Sequence, residues 1–521
     1  MIKKSRKTLH LMVDGFFLRY KTFIFVLLIV YFIAAHYWFL GFNTWDGLSY
    51  RIPPIVEFVQ HGNLGGWKFN YLPAQHFYPF LEWVHVPFLK LLGLRGLYFS
   101  FSLVLLPLSI ASVYAFVREL TSDLRWAMYS ALAYIAIPFV NTQPFSGYID
   151  FAVIGALAFF LYALLRVLRS DRSSFQTVGV FSLATFLFSL SRQHTPYLAA
   201  LLFGVLTVWF FAPWDWTTQA KDRRWSLIHR MPIILAAFVI GIMPAAILHI
   251  SRYLEFGSPI FPLQFKFYGG LIAPTWNEML VNFRHGWVWP GGWPRDFFDS
   301  YSFGAGLFFW MMLVTLPVLD RNIDRDTGFF LLLFGAIAIL VRDFWLPRYS
   351  MTLVLAVVIS VAGALSWLAS KGPSWAYTTL FLAVLIHLGR PIYDAYNMTQ
   401  MGHWYTRVNI SGSPLFIDGE TAPGELKLYP DLEVDFWVVH PLENSFSLLL
   451  YGRDLSNRII GGLEPSEIEE NCFVNKSPAA DRETLIVDQL GRLATISNEC
   501  KWVCEYSAYG RCLAGRLIPA E

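Results

Sequence analysis

Two carboxylates and several basic side chains stand where an apolar chain has least reason to keep them. Asp46 lies in NTWDGLSYRIPP, where the first long apolar stretch gives way to a polar, aromatic-rich segment. Asp150, in SGYIDF, is the only charged residue between Ala127 and Leu165. Arg192, in SRQHTPY, is the only one between Ser173 and Ala212, and His194 follows two residues on. Arg342, Asp343 and Arg348 crowd into RDFWLPRY. Desolvating such groups is costly, so they tend to line a pathway or a reaction site. A carboxylate can take a proton from a hydroxyl, two together can recruit a divalent cation, and planar guanidinium forks match phosphate oxygens.

Each candidate also has a bland reading. An acid that opens a helix can be a cap or an interfacial anchor, an arginine at a span end can snorkel to lipid headgroups, and an interfacial histidine can simply be hydrogen-bonded. Trp287, Trp289 and Trp293 of WVWPGGWP suit a membrane belt as well as a sugar platform. Glu57 and Glu82 are either second acids or the wet faces of surface helices.

The elements that must position these residues are membrane spans. Of 521 residues, 55% are hydrophobic and only 15% charged, and the mean hydropathy is +0.46, too apolar for one soluble core. The apolar runs predict a polytopic α-helical membrane protein of about eleven transmembrane helices. They fall at 22–41, 96–117, 127–141, 148–165, 175–191, 195–212, 232–250, 304–319, 328–341, 349–368 and 375–389. The first follows the basic head KKSRK but has no small-residue cleavage site, so it reads as a span and not as a signal peptide. Lys and Arg gather in RELTSDLR, RVLRSDR, KDRRWSLIHR and DRNIDRD, which places these loops and the N-terminus inside and the C-terminal tail outside. Asp46, Asp150, Arg192 and Arg348 then share the outer side. The net charge of +3 is small and scattered, which argues against a nucleic-acid partner.

Three segments outside the membrane are long enough to fold. Within 42–95, IPPIVEFVQ and FYPFLEWVHVPFLKLLG carry apolar residues at helical spacing and predict interfacial helices. In 251–303, Gly, Pro and Trp alternate too closely for regular structure, which predicts a loop. From about 390 onward, VDFWVVH, SFSLLLYG and ETLIVDQL predict strands of a small C-terminal α/β domain. The chain therefore divides into a membrane part, 1–389, and an extracytoplasmic domain, 390–521. All four cysteines, Cys472, Cys500, Cys504 and Cys512, lie in that tail. Two disulfides outside the cytoplasm are the natural reading, with a metal site as the competitor and the pairing open.

The residues around Asp46 also carry a resemblance. WDGLSYRIPPIVEFVQHGNL resembles the membrane-embedded glycosyltransferases of the GT-C superfamily, the group of aminoarabinose transferases, protein O-mannosyltransferases and many bacterial lipid-linked-sugar enzymes. The acid opening the fourth span, the base in SLSRQHTPY, FGSPIFP, WLPRY and LLYGRDLSNRI follow in the family's order, so the resemblance covers most of the chain. One departure stands out: relatives commonly carry Tyr-His-x-Pro after the acid, whereas Tyr50 here is followed by Arg51, Ile52 and Pro53.

The resemblance implies an enzyme of a bacterial inner membrane, with its active site and C-terminal domain facing the periplasm. It would move a sugar from a polyprenyl-phosphate donor to a glycan, lipid or protein acceptor. In that scheme Asp46 is the base, and Asp150 orients the acceptor or shares a site with Asp46. Arg192 and Arg348, assisted by Arg51 or His194, hold the donor phosphate. Tyr50, Glu57, Trp289 and Trp293 line the acceptor and sugar cavity. No cofactor is certain, a divalent cation is possible, and membrane lipids are the standing partner. Two alternatives remain open. One is a glycan polymerase or ligase with polyprenyl-diphosphate donors. The other is a transporter or lipid flippase, in which isolated charges line a route.

Overall fold

The structure is a computed structural model. It describes residues 26, 30, 52–62, 80–145, 148–170, 174–211, 218–259, 308–319, 323–340, 350–389, 433, 435–439, 454–463, 484–487, 500–508 and 511–519. Chain contacts divide these into two compact units: the described parts of Val30–Val104, Pro144–Tyr148 and Ile392–Glu521 in one, and those of Met1–Ile29, Leu105–Gln143 and Ile149–Pro391 in the other.

In the first unit, IPPIVEFVQ forms helix α1, Pro53–His61. Two prolines open it, where a missing N–H costs nothing, and Gly62 closes it at φ 73°, its amide donating to Phe58 O. A 3-10 turn, Leu81–Val84, leads into α2, His85–Leu92. Ring contact between Phe58 and Trp83, with centroids 4.5 Å apart, ties α1 to that turn. Toward the C-terminus, β1 (Asp435–Val439), β2 (Arg458–Leu463), β3 (Thr484–Val487), β4 (Cys500–Ala508) and β5 (Arg511–Pro519) build one sheet. Its order is β2-β1-β3-β5-β4. β1 pairs parallel with β2 and β3, and β5 pairs antiparallel with β3 and β4. The parallel half cannot close by tight turns and needs crossover connections.

The second unit is helical. Its elements are α3 (Leu106–Thr121), α4 (Leu124–Ala136), α5 (Asp150–Arg169), α6 (Phe175–Ser189), α7 (Thr195–Phe211) and α8 (Thr218–Phe256), followed by α9 (Phe308–Leu319), α10 (Arg325–Leu340), α11 (Met351–Lys371) and α12 (Ser374–Leu388). Each span expected from 96–117 onward overlaps one of these helices. The first, 22–41, lies outside the described residues apart from Val26 and Val30, which are helical. Among the described residues, four stretches are long and apolar enough to cross a membrane: Ser100–Thr121, Asp150–Arg169, Trp225–Phe256 and Met351–Lys371. Of the apolar stretch of α11, 89% is buried, against 33% for that of α8. α11 is therefore central, and α8 turns Val239, Ile240, Met243, Ile247 and Ile250 outward, as a multi-pass membrane protein requires.

Several boundaries differ from the sequence reading. The span expected at 127–141 breaks after Ala136, where Ile137 is extended and a short helix restarts at Pro138. The span expected at 232–250 is part of a continuous helix of 39 residues that runs through Pro232 and Pro244. A proline inside a membrane helix is tolerated because local adjustments and neighbours re-satisfy the freed carbonyl. The segment expected as loop from 251 is helical as far as Phe256.

Polar contacts fasten the bundle at the far end of α5 from Asp150. Arg169 pairs with Asp326 at 2.6 Å and donates to the carbonyls of Glu119 and Leu120 that end α3. Trp209 donates from Nε1 to the same Asp326 at 3.2 Å and stacks on Phe329, with centroids 3.7 Å apart. Cations near helix C-termini satisfy carbonyls that have no partner within the helix.

Candidate functional site

Asp150 is the first residue of α5 and only 2% exposed. A carboxylate at a helix N-terminus is favoured by the helix dipole, but burial removes its water and demands other partners. Arg192 supplies the main one: its Nη2 is ion-paired with Asp150 Oδ1, and its side chain is 10% exposed. Gln143 supplies the other, donating from Nε2 to Asp150 Oδ2 at 3.1 Å. The same Gln143 accepts from the Phe151 amide at 2.8 Å. It thus caps α5 from the preceding turn, in place of Ile149, which has no capping side chain. Tyr134 OH donates to Phe151 O and locks the first turn from α4.

The turn that carries Arg192 is equally constrained. α6 ends at Ser189, and Ser191 Oγ donates back to Phe188 O at 2.7 Å. Thr195 opens α7; its Oγ1 lies 3.2 Å from the Arg192 amide, which donates to it, and 2.7 Å from the Arg192 carbonyl. Pro196 follows in the first turn, where helices accept it. Arg192 therefore projects from a turn fixed at both ends.

His194 lies on the same turn. Its Nε2 is enclosed and has no hydrogen-bond partner among the described residues. Desolvation lowers its pKa to about 4, so the ring is neutral at neutral pH and can serve as a hydrogen-bond donor or acceptor, not as a standing cation. Glu57 belongs to the other unit, where it is buried on α1 and paired with His61 at 3.2 Å.

Of the expected residues the structure pairs Asp150 with Arg192 and carries His194 on the same turn as Arg192, and it adds Gln143 and Tyr134, which sequence reading missed. Gln143 had a signal in principle, a polar residue in an otherwise apolar approach to a buried acid, but glutamines in such positions are common. Asp46, Tyr50, Arg51, Trp289, Trp293, Arg348 and Cys472 lie outside the described residues. Cys500, Cys504 and Cys512 are placed on strands, and their side chains are not described. Among the described residues no group of three His, Cys, Asp or Glu side chains gathers as a metal site would need.

No protein-family model matches the sequence, and no curated protein does. Solved structures do. ArnT from Cupriavidus metallidurans bound to undecaprenyl phosphate superposes with a TM-score of 0.56 at 15% identity, over 95% of this chain and 97% of that one. The fold is that of ArnT. Its apo state matches equally, with a TM-score of 0.55 and 14% identity over the same shares. The oligosaccharyltransferase of Archaeoglobus fulgidus matches more loosely, with a TM-score of 0.45 and 14% identity, over 88% of this chain and 67% of that one. The polytopic helical fold expected from the apolar runs is thus one that ArnT shares.

Proposed function

We propose that this chain is a membrane glycosyltransferase of a bacterial inner membrane. It transfers a sugar from a polyprenyl-phosphate donor to a glycan, lipid or protein acceptor on the extracytoplasmic face. The observation that carries the reading is the buried Asp150–Arg192 pair at one end of an ArnT-type bundle, which holds in place a guanidinium, the group whose planar fork matches phosphate oxygens. ArnT itself has been seen with undecaprenyl phosphate.

In this reading Asp150 does not touch the acceptor. It holds the Arg192 fork by one edge and leaves the remaining N–H groups to the donor phosphate, since a guanidinium has five donors and an ion pair uses only part of them. Arg348 and Arg51 add charge, and neutral His194 adds a hydrogen bond. The reaction is an inverting single displacement. The acceptor hydroxyl oxygen attacks the anomeric carbon from the face opposite the phosphate, and its proton passes to Asp46. The bond from that carbon to the phosphate oxygen breaks, and its electron pair leaves on the lipid phosphate, where the arginines stabilise the developing charge. Tyr50, Trp289 and Trp293 line the sugar and acceptor cavity. The chain as a whole has about eleven spans, and 390–521 folds outside the cytoplasm as a small α/β domain with disulfides among its four cysteines.

Asp46→Asn is expected to abolish transfer of the sugar from a polyprenyl-phosphate donor while the purified protein keeps its elution profile and thermal midpoint. Full activity in that variant overturns the assignment of the base.

A further inference from the structure

Gln60, on the last turn of α1, reaches two backbone carbonyls 395 and 397 residues away in sequence. Its Nε2 donates to Leu455 O at 2.9 Å and to Asn457 O at 2.6 Å, so both hydrogens of the amide are used. The carbonyls belong to the turn Asp454–Asn457 that leads into β2, whose first residue, Arg458, pairs with Asp435 of β1. This turn is not a casual surface loop. Asn457 is wholly buried, and Leu455 has φ 59°, in the left-handed region that favours glycine. A leucine keeps that conformation only where its surroundings over-determine it. On its other side α1 is held by the Phe58–Trp83 contact and ended by the Gly62 cap, so its orientation is fixed from both flanks.

We infer that the turn Asp454–Asn457 is the seat of α1, and that Gln60 is the positioning residue through which the C-terminal sheet fixes the helix that follows Asp46 in the chain. The tail then acts in the reaction without touching substrate, by fixing Ile52, the residue at which the chain enters α1. The seating stands on geometry alone, and only its kinetic consequence rests on the proposed transfer reaction.

Two variants of the full-length protein in lipid nanodiscs test this. Gln60→Glu keeps the side-chain size but removes both donors and turns a carboxylate toward two carbonyls. Gln60→Lys restores donors. Hydrogen–deuterium exchange is read on peptides covering 53–61 and 454–463, and sugar transfer is read as kcat and KM for the lipid donor. In Gln60→Glu, exchange in both peptides is expected to rise about tenfold and kcat to fall about tenfold with KM nearly unchanged, because misplacement of a reacting group costs rate before affinity. Gln60→Lys is expected to recover most of both. Unchanged exchange in Gln60→Glu overturns the inference, and so does equal loss in the two variants, the outcome of a packing role alone. If the wild type transfers no sugar while Gln60→Glu still loosens both peptides, the proposed reaction fails and the seating stands.

Discussion

Arg192 and Asp150 are the smallest unit at which stability and function can be separated. Removing one partner of a buried pair leaves an uncompensated charge and costs about 3–5 kcal/mol, whereas replacing both by apolar or neutral groups is often close to neutral. Asp150→Asn and Arg192→Met are therefore expected to lower the thermal midpoint sharply as single changes, and the double variant to recover most of the loss. Transfer is not expected to return in the double variant, because the guanidinium is gone. Thermal unfolding of all four proteins, read as a double-mutant cycle, checks this; a double variant no more stable than the singles contradicts it. A second residue-scale effect concerns His85, which is wholly buried and bonded through Nδ1 to Ser100 Oγ at 2.6 Å. Burial lowers its pKa to about 3, below the unfolded value of about 6.5. The unfolded chain thus binds the extra proton first, so stability is full above pH 6.5 and is lost as pH falls from there toward 3. His85→Asn keeps a donor for Ser100 without the titration, and the fall of thermal midpoint over that window is expected to flatten.

At the scale of elements, the close approach of α3 and α5 depends on a missing side chain. A Cβ on Gly155 would stand 2.5 Å from Ser109 Oγ and 2.6 Å from Ser109 Cα. The second contact is backbone, so no rotamer change relieves it. Gly155→Ala is expected to destabilise by about 1–3 kcal/mol through overpacking. Gly204→Ala on α7, where nothing lies within 4 Å, is expected to be neutral or slightly stabilising, since alanine is the better helix former. Thermal midpoints of the two variants decide it. The meeting of Asp150 with Arg192 also belongs to this scale, and it was partly legible. α5 and α6 are separated only by 170–174, a link too short for anything but an antiparallel pair. Such a pair returns the end of α6, and the arginine just beyond it, to the level at which α5 begins. The start of α8 was not legible, because Pro232 reads locally as a helix boundary, and only packing lets the helix continue through it.

For the whole molecule, the prediction is chemical. Cells lacking this protein are expected to accumulate a polyprenyl-linked sugar and to lack the matching substituent on an envelope glycan, lipid or protein. Mass spectrometry of lipid extracts from deletion and wild-type strains reads both. Identical profiles under conditions where the gene is expressed contradict the proposed reaction and favour a transport role.

The sequence by itself determined the class. Apolar runs of span length, separated by short basic loops, admit little but a polytopic helical bundle, because an unpaired backbone cannot cross lipid. The strand character of VDFWVVH and ETLIVDQL is likewise local, a matter of β-branched and aromatic residues between turn formers. The sequence also picked out Asp150, Arg192 and His194, because a charge or an imidazole in an apolar run is costly wherever the run goes. What it could not decide was who meets whom. That Asp150 faces Arg192 and Gln143, that His194 is desolvated to neutrality, and that Gln60 holds carbonyls 395 and 397 residues away are outcomes of packing. The first two depend on distances set by several helices and the third on one helix and a sheet, and pairings between residues remote in sequence leave no periodic trace in a single chain.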